Sequence, residues 1–470
     1  MATPQTEIRT PIVGAAASAP ADVFPLPVTP LEYYYLCDDQ PAYPTTYLFE
    51  LTFSGTLGRE PLAEALRMAL ARHPLLTARI DWNNGGRPNW IAGAPPINID
   101  WAPAEIPIGH ADGERIDLAE NSGLRVWVRE SSGEARAYFQ FHHAACDGLA
   151  ACQFLEDVLI AYHAQFHEGF AERLRPLDPA RLLTRDTFGV VDPNWRPTKR
   201  DIWRTVCHWA RLLARPPRAL SVPTPVPPAG QQQAFLEFVD HTFDVDETRW
   251  LRSAAPEGAT LNDLLLRDLL LVLDRWNADH SGGGRLRVNV PTNLRSREDA
   301  AMPAANVISY AFVDRKLSRR SDPSELLQSI GHEMAAIKRD RPGLLFLGGL
   351  GFACGFRGFV PWMLRRHRSF ATALLTNLGR LWARSPLPRR EGKLIAGDAV
   401  LERVSASPPI RPLTRAAVAA IDYGQRMTIA LRCDPASFSR EQSQALLERF
   451  LAQVRQSIDE APAGRIRKPR

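Results

Sequence analysis

The chain has 470 residues, of which 45% are hydrophobic and 23% are charged. This length suits roughly two to four domain-sized units, and the composition is that of a globular protein rather than a disordered or fibrous one. The formal net charge is only +5 and the arginines are scattered along the chain, which argues against nucleic acid as a partner.

The N-terminus and the cysteines bear on the cellular compartment. The first 23 residues are rich in alanine, proline and threonine and have no basic region followed by an apolar core, so we expect a flexible arm and no secretion signal. The six cysteines form no CxxC pair and have no histidine spacing suited to zinc. They are typical of reduced, mostly buried thiols, and we expect a cytoplasmic monomer without a bound metal.

Helix and strand patterns alternate in an N-terminal lobe that we place at 24–184. The stretch TPLE at 29–32 has the hydroxyl, proline and glutamate that mark the start of a helix. An alternating strand pattern follows at 47–53, and a helical apolar stripe follows at 60–72.

Two further strand patterns lead to an unusual motif. They lie at 124–130 and 135–143, on either side of the turn sequence SSGE, and predict a β-hairpin. After Gly148 the apolar periodicity becomes helical. The sequence HHAACDG at 142–148 is therefore expected where a strand ends and a helix begins.

The second half of the chain begins after a change in composition. Prolines and basic residues dominate 185–232, which predicts a crossover linker with one short helix at 199–214. A C-terminal lobe at 233–458 and a basic tail at 459–470 follow. The first elements expected in that lobe are a strand at 234–243, a helix at 260–276 and a strand at 285–295. Two mixed α/β lobes would leave a cleft between them, a common place for a small-molecule site.

An apolar stretch at 344–363 is long enough to be considered as a membrane span. Arg357, Pro361 and five glycines argue against a span. We favour a buried glycine-rich helix or an apolar channel lining, and the alternative is contact with a membrane surface or with lipid.

The paired histidines suit proton transfer better than metal binding. A histidine at the end of a strand is held by the sheet, and its near-neutral pKa allows it to take a proton from a hydroxyl, amine or thiol. Successive side chains of a strand point to opposite faces, so His142 and His143 cannot both line one cleft. One of them is expected to be the base and the other to pack, which also argues against a two-histidine metal site.

Three neighbours of the histidines have simpler structural readings. Asp147 precedes a predicted helix, where a carboxylate usually accepts from backbone N–H groups or pairs with an arginine. Gly148 would allow an unusual backbone angle or the close approach of a substrate. Cys146 could form a Cys–His nucleophile, but a small buried cysteine is the commoner case. A pair of satisfied core histidines with a capping aspartate is the alternative for the whole motif.

The sequence HHAACDG fits the HHxxxDG signature and resembles the chloramphenicol acetyltransferase-like superfamily, which includes condensation domains of nonribosomal peptide synthetases, wax ester synthases and polyketide-associated acyltransferases. Other pieces resemble the same family in the same order, across about residues 24–455. They are PLPVTPLEYYYL, LAEALRMALARHPLLTARI, ATLNDLLLRDLLLVLDRW, VNVPTNLR and LLTNLGRL.

The resemblance implies an α/β (mixed α+β) fold of two lobes that form a pseudo-dimer with a tunnel between them. An acyl thioester on coenzyme A or on the phosphopantetheine of a carrier protein would enter from one side, and the acceptor from the other. His143, the second histidine, would deprotonate the acceptor, and His142 would support it. Asp147 would act through an arginine of the second lobe, for which Arg295 is the matching position.

The resemblance also implies donors for the oxyanion that forms when the acceptor attacks the thioester. The candidates are the backbone N–H of Gly148 and the side chains of Thr376 and Asn377. The expected activity is therefore that of an acyltransferase for groups other than aminoacyl groups, in secondary or lipid metabolism, with no permanently bound cofactor. We prefer an ester product. The alternatives are a stand-alone condensation domain that forms amides, and an inactive homologue that recruits a partner.

Overall fold

A computed structural model describes most of the chain. The described residues are 9–10, 23–82, 87–187, 198–223, 235–280, 283–317, 321–340, 343–365 and 369–461. Most of the predicted arm at 1–23 and most of the basic tail at 459–470 lie outside these ranges, as do parts of the predicted linker at 185–232.

The described ranges contain both helices and strands, so the expected mixed α/β class is confirmed. The strands are β1 (Arg9–Thr10), β2 (Leu26–Pro27), β3 (Thr46–Ser54), β4 (Arg79–Asp81), β5 (Asn89–Ile91), β6 (Ile99–Pro103), β7 (Leu124–Ser131), β8 (Glu134–His142), β9 (Val239–Thr242), β10 (Arg285–Asn293), β11 (Ile308–Lys316), β12 (Ala373–Arg380), β13 (Arg389–Arg390), β14 (Lys393–Ala396), β15 (Ala399–Ser407), β16 (Ala416–Tyr423) and β17 (Arg426–Cys433). The α-helices are α1 (Pro30–Asp38), α2 (Arg59–Arg72), α3 (Gly148–Ala164), α4 (Lys199–Ala214), α5 (Val245–Ala254), α6 (Leu261–His280), α7 (Pro323–Asp340), α8 (Gly343–Cys354), α9 (Phe359–Leu364) and α10 (Arg440–Asp459).

The chain divides into two compact units that are not continuous in sequence. The first unit comprises Met1–Val191, Arg295–Val307 and Arg380–Ala406, and the second comprises Asp192–Leu294, Ile308–Gly379 and Ser407–Arg470. The lobes predicted at 24–184 and 233–458 are each continuous. The units differ from them because two segments of the later half, 295–307 and 380–406, are packed into the first unit.

An eight-stranded sheet forms the centre of the first unit. Its strand order is β1-β6-β7-β8-β3-β15-β14-β13. β8 is an inner strand, antiparallel to both β7 and β3, and pairs Thr46 with His142. This pairing fixes the end of β8 in a sheet with a neighbour on each side. The predicted hairpin of β7 and β8 is confirmed.

The second unit is built on a six-stranded sheet with the order β11-β10-β12-β16-β17-β9. Its core is formed mainly by apolar side chains of α5, α6, α7, α10 and the sheet strands. The helices expected at 199–214 and 260–276 are confirmed as α4 and α6. The strand expected at 234–243 is shorter, because β9 covers only Val239–Thr242.

The apolar stretch at 344–363 is neither one helix nor wholly buried, so the expectation of a buried glycine-rich helix is wrong, while the channel lining stays a prediction. It is divided between α8 and α9, separated by Gly358, whose φ of 76° is in the left-handed region that favours glycine. Phe346 and Leu350 of α8 are buried, whereas Phe352 is 73% exposed. Within the described ranges, none of the helices has the length and apolarity to cross a membrane.

Candidate active site

The histidine motif occupies the predicted junction of strand and helix. β8 ends at His142, and α3 begins at Gly148. The backbone N–H of His143 donates to the carbonyl of Thr45 at 2.8 Å, so the chain remains tied to the sheet one residue beyond the strand. The backbone alternates up to this point, which gives the two imidazoles different surroundings.

His142 is the packed member of the pair. Its side chain is buried, and its Nδ1 accepts from the backbone N–H of Ala144 at 3.1 Å. Nδ1 is thus an acceptor, so the ring proton belongs on Nε2, which lies 3.8 Å from Oδ2 of Asp39. Burial opposes ionisation of Asp39, but His142 and the Arg115 guanidinium, at 2.7 Å, outweigh it and lower the pKa of that carboxyl.

His143 lies between two tyrosines and retains 9% of its accessible surface. Its ring stacks on Tyr35 with centroids 4.2 Å apart and meets Tyr47 edge-on at 5.1 Å. Nδ1 is fully enclosed and has no hydrogen-bond partner of good geometry in the described part of the chain. Burial lowers the pKa of His143 to about 4, against the opposing effects of its own backbone carbonyl and Asp147. The imidazole is therefore neutral at pH 7.

Asp147 is the N-cap of α3 and has three partners. Its Oδ1 accepts from the backbone N–H of Ala150 at 2.9 Å, and its Oδ2 accepts from the backbone N–H of Val307 at 2.8 Å. Nη1 of Arg295 lies 2.9 Å from the same Oδ2. Both readings from the sequence, a helix cap and an arginine pair, thus hold for one carboxylate.

The position of Arg295 corrects one part of the prediction. The arginine was expected to come from the second lobe, but residue 295 belongs to the first compact unit. Its Nη2 also donates to the carbonyl of Ala305 at 2.9 Å, so the arginine holds its own segment as well as the cap. The segment 295–307 packs with the first unit because its backbone and side chains bond to the motif.

Asn306 is a site residue that the sequence did not reveal. Its Nδ2 donates to the carbonyls of His143 and Ala144, each at 2.8 Å. The amide therefore fixes the backbone on which the candidate base is carried. Its partners are backbone carbonyls more than 160 residues away in sequence. Every residue has a backbone carbonyl, so no pattern of side chains in the sequence predicts these contacts.

A buried histidine anchors the same segment from the other end. The backbone N–H of Ala304 donates to Nδ1 of His73 at 2.8 Å, and Nε2 of His73 lies 3.2 Å from Oδ2 of Asp157. Asp157 belongs to α3, so helix, histidine and segment form a connected network. This network supports the motif without including either imidazole of the HH pair.

Cys146 and Gly148 have structural surroundings. Burial raises the pKa of the Cys146 thiol to about 12, and its sulfur lies 3.2 Å from the hydroxyl of Tyr47. A protonated, enclosed thiol is a poor nucleophile, which favours the packing role. Gly148 is the first residue of α3 and is not among the glycines with positive φ, so the expected unusual backbone angle is wrong.

Thr376 and Asn377 lie on β12, in the second unit. Both are partly exposed, and Oδ1 of Asn377 accepts from the backbone N–H of Gly379 at 2.9 Å. The first unit thus brings together five of the predicted residues: His142, His143, Asp147, Gly148 and Arg295. The oxyanion role of the two β12 residues stays a prediction.

A shallow cleft of about 320 Å³ lies elsewhere on the first unit, against the β7–β8 hairpin. Arg129, Arg136 and Tyr138 are among its lining residues, and none of the predicted site residues is. This cleft is therefore separate from the histidine motif.

We compared the chain with known proteins, and the likeness that was found concerns the fold. No protein-family model matches the chain. An uncharacterized protein of Mycobacterium tuberculosis is 29% identical over 314 residues, which cover 63% of this chain and 68% of that protein. Among the solved structures that resemble nearly the whole chain is the starter condensation domain of rhizomide synthetase in complex with C8-CoA and Leu-SNAC. Its TM-score is 0.63 and its identity 14%, with 95% of this chain and 98% of that chain covered.

Another such structure is a trichothecene 15-O-acetyltransferase from Fusarium sporotrichioides, with a TM-score of 0.66 and 13% identity. The match covers 92% of this chain and 94% of that chain. At such identities the likeness concerns the fold alone. The fold expected from the HHxxxDG motif is thereby confirmed: the chain shares its overall fold with this condensation domain and this acetyltransferase.

Proposed function

We propose that this chain is an acyltransferase that moves an acyl group from a thioester to a hydroxyl or amine acceptor, with His143 as the general base. The observation that carries the proposal is the state of that imidazole. The residue is tied to the end of a sheet through its backbone N–H, its carbonyl accepts from Asn306, its ring stacks on Tyr35, and the imidazole is neutral at pH 7. A neutral imidazole at a fixed position is what a proton acceptor requires.

The proton would go to Nε2 of His143. Nδ1 is enclosed between the ring's own backbone and its neighbours, so it offers no approach to an acceptor. The residue retains 9% of its accessible surface, and we propose that a hydroxyl or amine reaches Nε2 through this opening. Stacking on Tyr35 holds the ring in one orientation, which lowers the entropic cost of the encounter.

The proposed reaction is a direct transfer. The acceptor's oxygen or nitrogen forms a bond to the thioester carbonyl carbon while Nε2 takes its proton. The tetrahedral intermediate then collapses, the carbon–sulfur bond breaks, and the departing thiolate receives the proton from the imidazolium. No acyl-enzyme forms, which agrees with the protonated state of Cys146.

Other groups of the motif would position the base and stabilise charge. Asp147, Arg295 and Asn306 hold the backbone around the base and need not touch substrate. The first N–H groups of a helix have no intrahelical acceptor, which supports the backbone N–H of Gly148 as an oxyanion donor. For Thr376 and Asn377 the same role rests on the sequence resemblance.

The donor is proposed to be acyl-coenzyme A or an acylated phosphopantetheine carrier, without a permanently bound cofactor. A structural neighbour was crystallised with C8-CoA, which supports a coenzyme A thioester as the first donor to try. We keep the preference for an ester product, since the other neighbour is named as an O-acetyltransferase.

The test is thiol release from acyl-coenzyme A in the presence of a panel of alcohols and amines. We expect release that depends on the acceptor, and a loss of about 100-fold or more in kcat/KM for His143→Ala. His332→Ala, which removes an exposed histidine of α7, is the matched control and should retain full activity. Unchanged turnover in His143→Ala, with a normal unfolding temperature, would refute the assignment of the base.

The second candidate is a stand-alone condensation domain that forms amides on carrier-bound substrates, supported by the likeness to a starter condensation domain. Its discriminating result is turnover with an acylated carrier protein and an aminoacyl acceptor, with none from acyl-coenzyme A and alcohols. Absence of turnover with every donor, together with tight binding of one of them, would instead favour an inactive recruiting homologue.

A further inference from the structure

Four aromatic side chains form a continuous exposed ridge on the second unit. They are Phe352, Phe356, Phe359 and Trp362, which are between 41% and 73% exposed. Their rings contact one another in order, with centroid distances of 5.1, 6.4 and 5.5 Å. Isolated exposed apolar residues are ordinary on a protein surface, but a contiguous set of large aromatic ones marks an interaction site.

The ridge is presented by a firmly packed support. On the opposite side of α8, Phe346, Leu347 and Leu350 are buried. Trp209 of α4 stacks on Phe346 with centroids 5.1 Å apart. Other apolar side chains occupy the core-facing side of α8. The exposed aromatic residues of the ridge therefore do not belong to the core.

The turn between the two helices keeps the ridge continuous. Gly358 adopts a φ of 76° at the start of α9, a conformation that costs a side-chain-bearing residue free energy. Phe356 precedes this turn and Phe359 follows it, and their rings still meet. The bend thus brings the aromatic residues of two short helices into one surface.

The stretch that carries the ridge has basic charge alone. The exposed Arg357 and Arg365 lie within 343–365, and that stretch contains no aspartate or glutamate. α4, which packs on α8, has the exposed apolar residues Ile202 and Trp203 and carries four basic residues and one aspartate. Aromatic residues that flank arginines are typical of surfaces that insert into the headgroup region of a bilayer with anionic lipid.

We propose that the α8–α9 aromatic ridge is a docking surface for a membrane that contains anionic lipid. The rings of Phe352, Phe356 and Trp362 would enter the interface between headgroups and acyl chains, and the arginines would pair with lipid phosphates. The choice of lipid rests on the combination of adjacent large aromatic rings with flanking arginines and no acidic residue in the same stretch, which matches an anionic headgroup region. The docking is independent of the acyl transfer proposed above.

The test is flotation of the full chain with vesicles, which requires no turnover. We expect binding to phosphatidylcholine vesicles that contain an equal amount of phosphatidylglycerol, weaker binding to phosphatidylcholine alone, and a decrease with added salt. The variant Phe352→Ser/Phe356→Ser/Trp362→Ser should lose about tenfold or more of the bound fraction. Arg357→Gln/Arg365→Gln should lose mainly the preference for the anionic vesicles.

The matched control is Trp82→Ser/Ile106→Ser/Trp250→Ser, which removes three exposed apolar residues outside the ridge. It should float like the unmodified chain. Equal binding by the ridge variant, or no binding of the unmodified chain to either vesicle, would overturn the proposal. A dimer seen by light scattering that dissociates only in the ridge variant, without vesicle binding, would assign the ridge to a second copy of the chain and would also overturn it.

Discussion

The chemistry of His143 depends on its surroundings more than on its residue type. A solvent-exposed imidazole is half protonated near pH 6.5 and would be a partly charged, mobile base at neutral pH. Burial between Tyr35 and Tyr47 disfavours the charged form and fixes the plane of the ring. The two rings that enclose the imidazole lie outside the motif, because both tyrosines come about a hundred residues earlier in the chain.

This burial predicts the pH dependence of the proposed activity. A base works in its neutral form, and a lowered pKa extends that form to lower pH. With the pKa of His143 at about 4, kcat/KM should stay level as pH falls through 6.5 and should decline only near pH 4. The measurement is kcat/KM from pH 4 to 8, with circular dichroism at each pH to confirm folding. A decline centred at pH 6–7 would contradict the burial argument.

Replacement of Asp147 tests the cap. Asp147→Asn keeps an oxygen that can accept from one backbone N–H but removes the charge that pairs with Arg295. We expect a loss of about 2–3 kcal/mol in the free energy of unfolding, together with a lower rate. Asp279→Asn breaks an exposed ion pair with Arg449 and should cost no more than about 1 kcal/mol. Lost activity with unchanged melting in Asp147→Asn would instead indicate direct chemistry by the carboxylate.

At the scale of elements, the capping signals and composition changes in the sequence predict the positions of α1 and α4 correctly. The start of α1 is a full capping box: the backbone N–H of Glu32 donates to Oγ1 of Thr29, and the backbone N–H of Thr29 donates to Oε2 of Glu32. α4 begins and ends at the predicted residues. Such signals involve residues within one helical turn, so they operate wherever the segment lies in the molecule.

Two adjacent glycines of α8 allow the effect of helix propensity to be compared with the effect of packing between α8 and α4. A Cβ at Gly349 would lie 1.8 Å from Nε1 of Trp209, whereas a Cβ at Gly348 would have no neighbour within 4 Å. Gly348→Ala should therefore stabilise the helix by about 0.5–1 kcal/mol, while Gly349→Ala should destabilise it by about 1–3 kcal/mol through forced separation of α4 from α8. Thermal unfolding with tryptophan fluorescence measures both. Equal effects at the two positions would show that α4 does not pack as described.

On the scale of the whole molecule, the discontinuous first unit makes a truncated chain incomplete. A fragment of residues 1–191 lacks β15, the neighbour of β3 in the eight-stranded sheet. It also lacks Arg295 and Asn306, so the carboxylate of Asp147 would be left without its charge partner. Exposed strand edges and unpaired buried charges both oppose folding.

We therefore expect the fragment 1–191 to lack a cooperative thermal transition and to aggregate, in contrast with the full chain. Circular dichroism melts and dispersion of amide proton resonances compare the two. A fragment that unfolds sharply and shows a dispersed spectrum would mean that the later segments are accessory to the first unit.

The sequence alone determined the local elements, the HHxxxDG motif and its place between β8 and α3, and the pairing of Asp147 with Arg295 that the family resemblance implied. These follow from short-range periodicity, capping and a recognisable spacing of side chains. The tertiary structure alone decided that Arg295 belongs to the first unit, that Asn306 holds the base's backbone, and that one side of 344–363 faces outward. It also decided the low pKa of His143. The physical reason is that burial and long-range contacts join residues far apart in the chain, and no local pattern records which of them will meet.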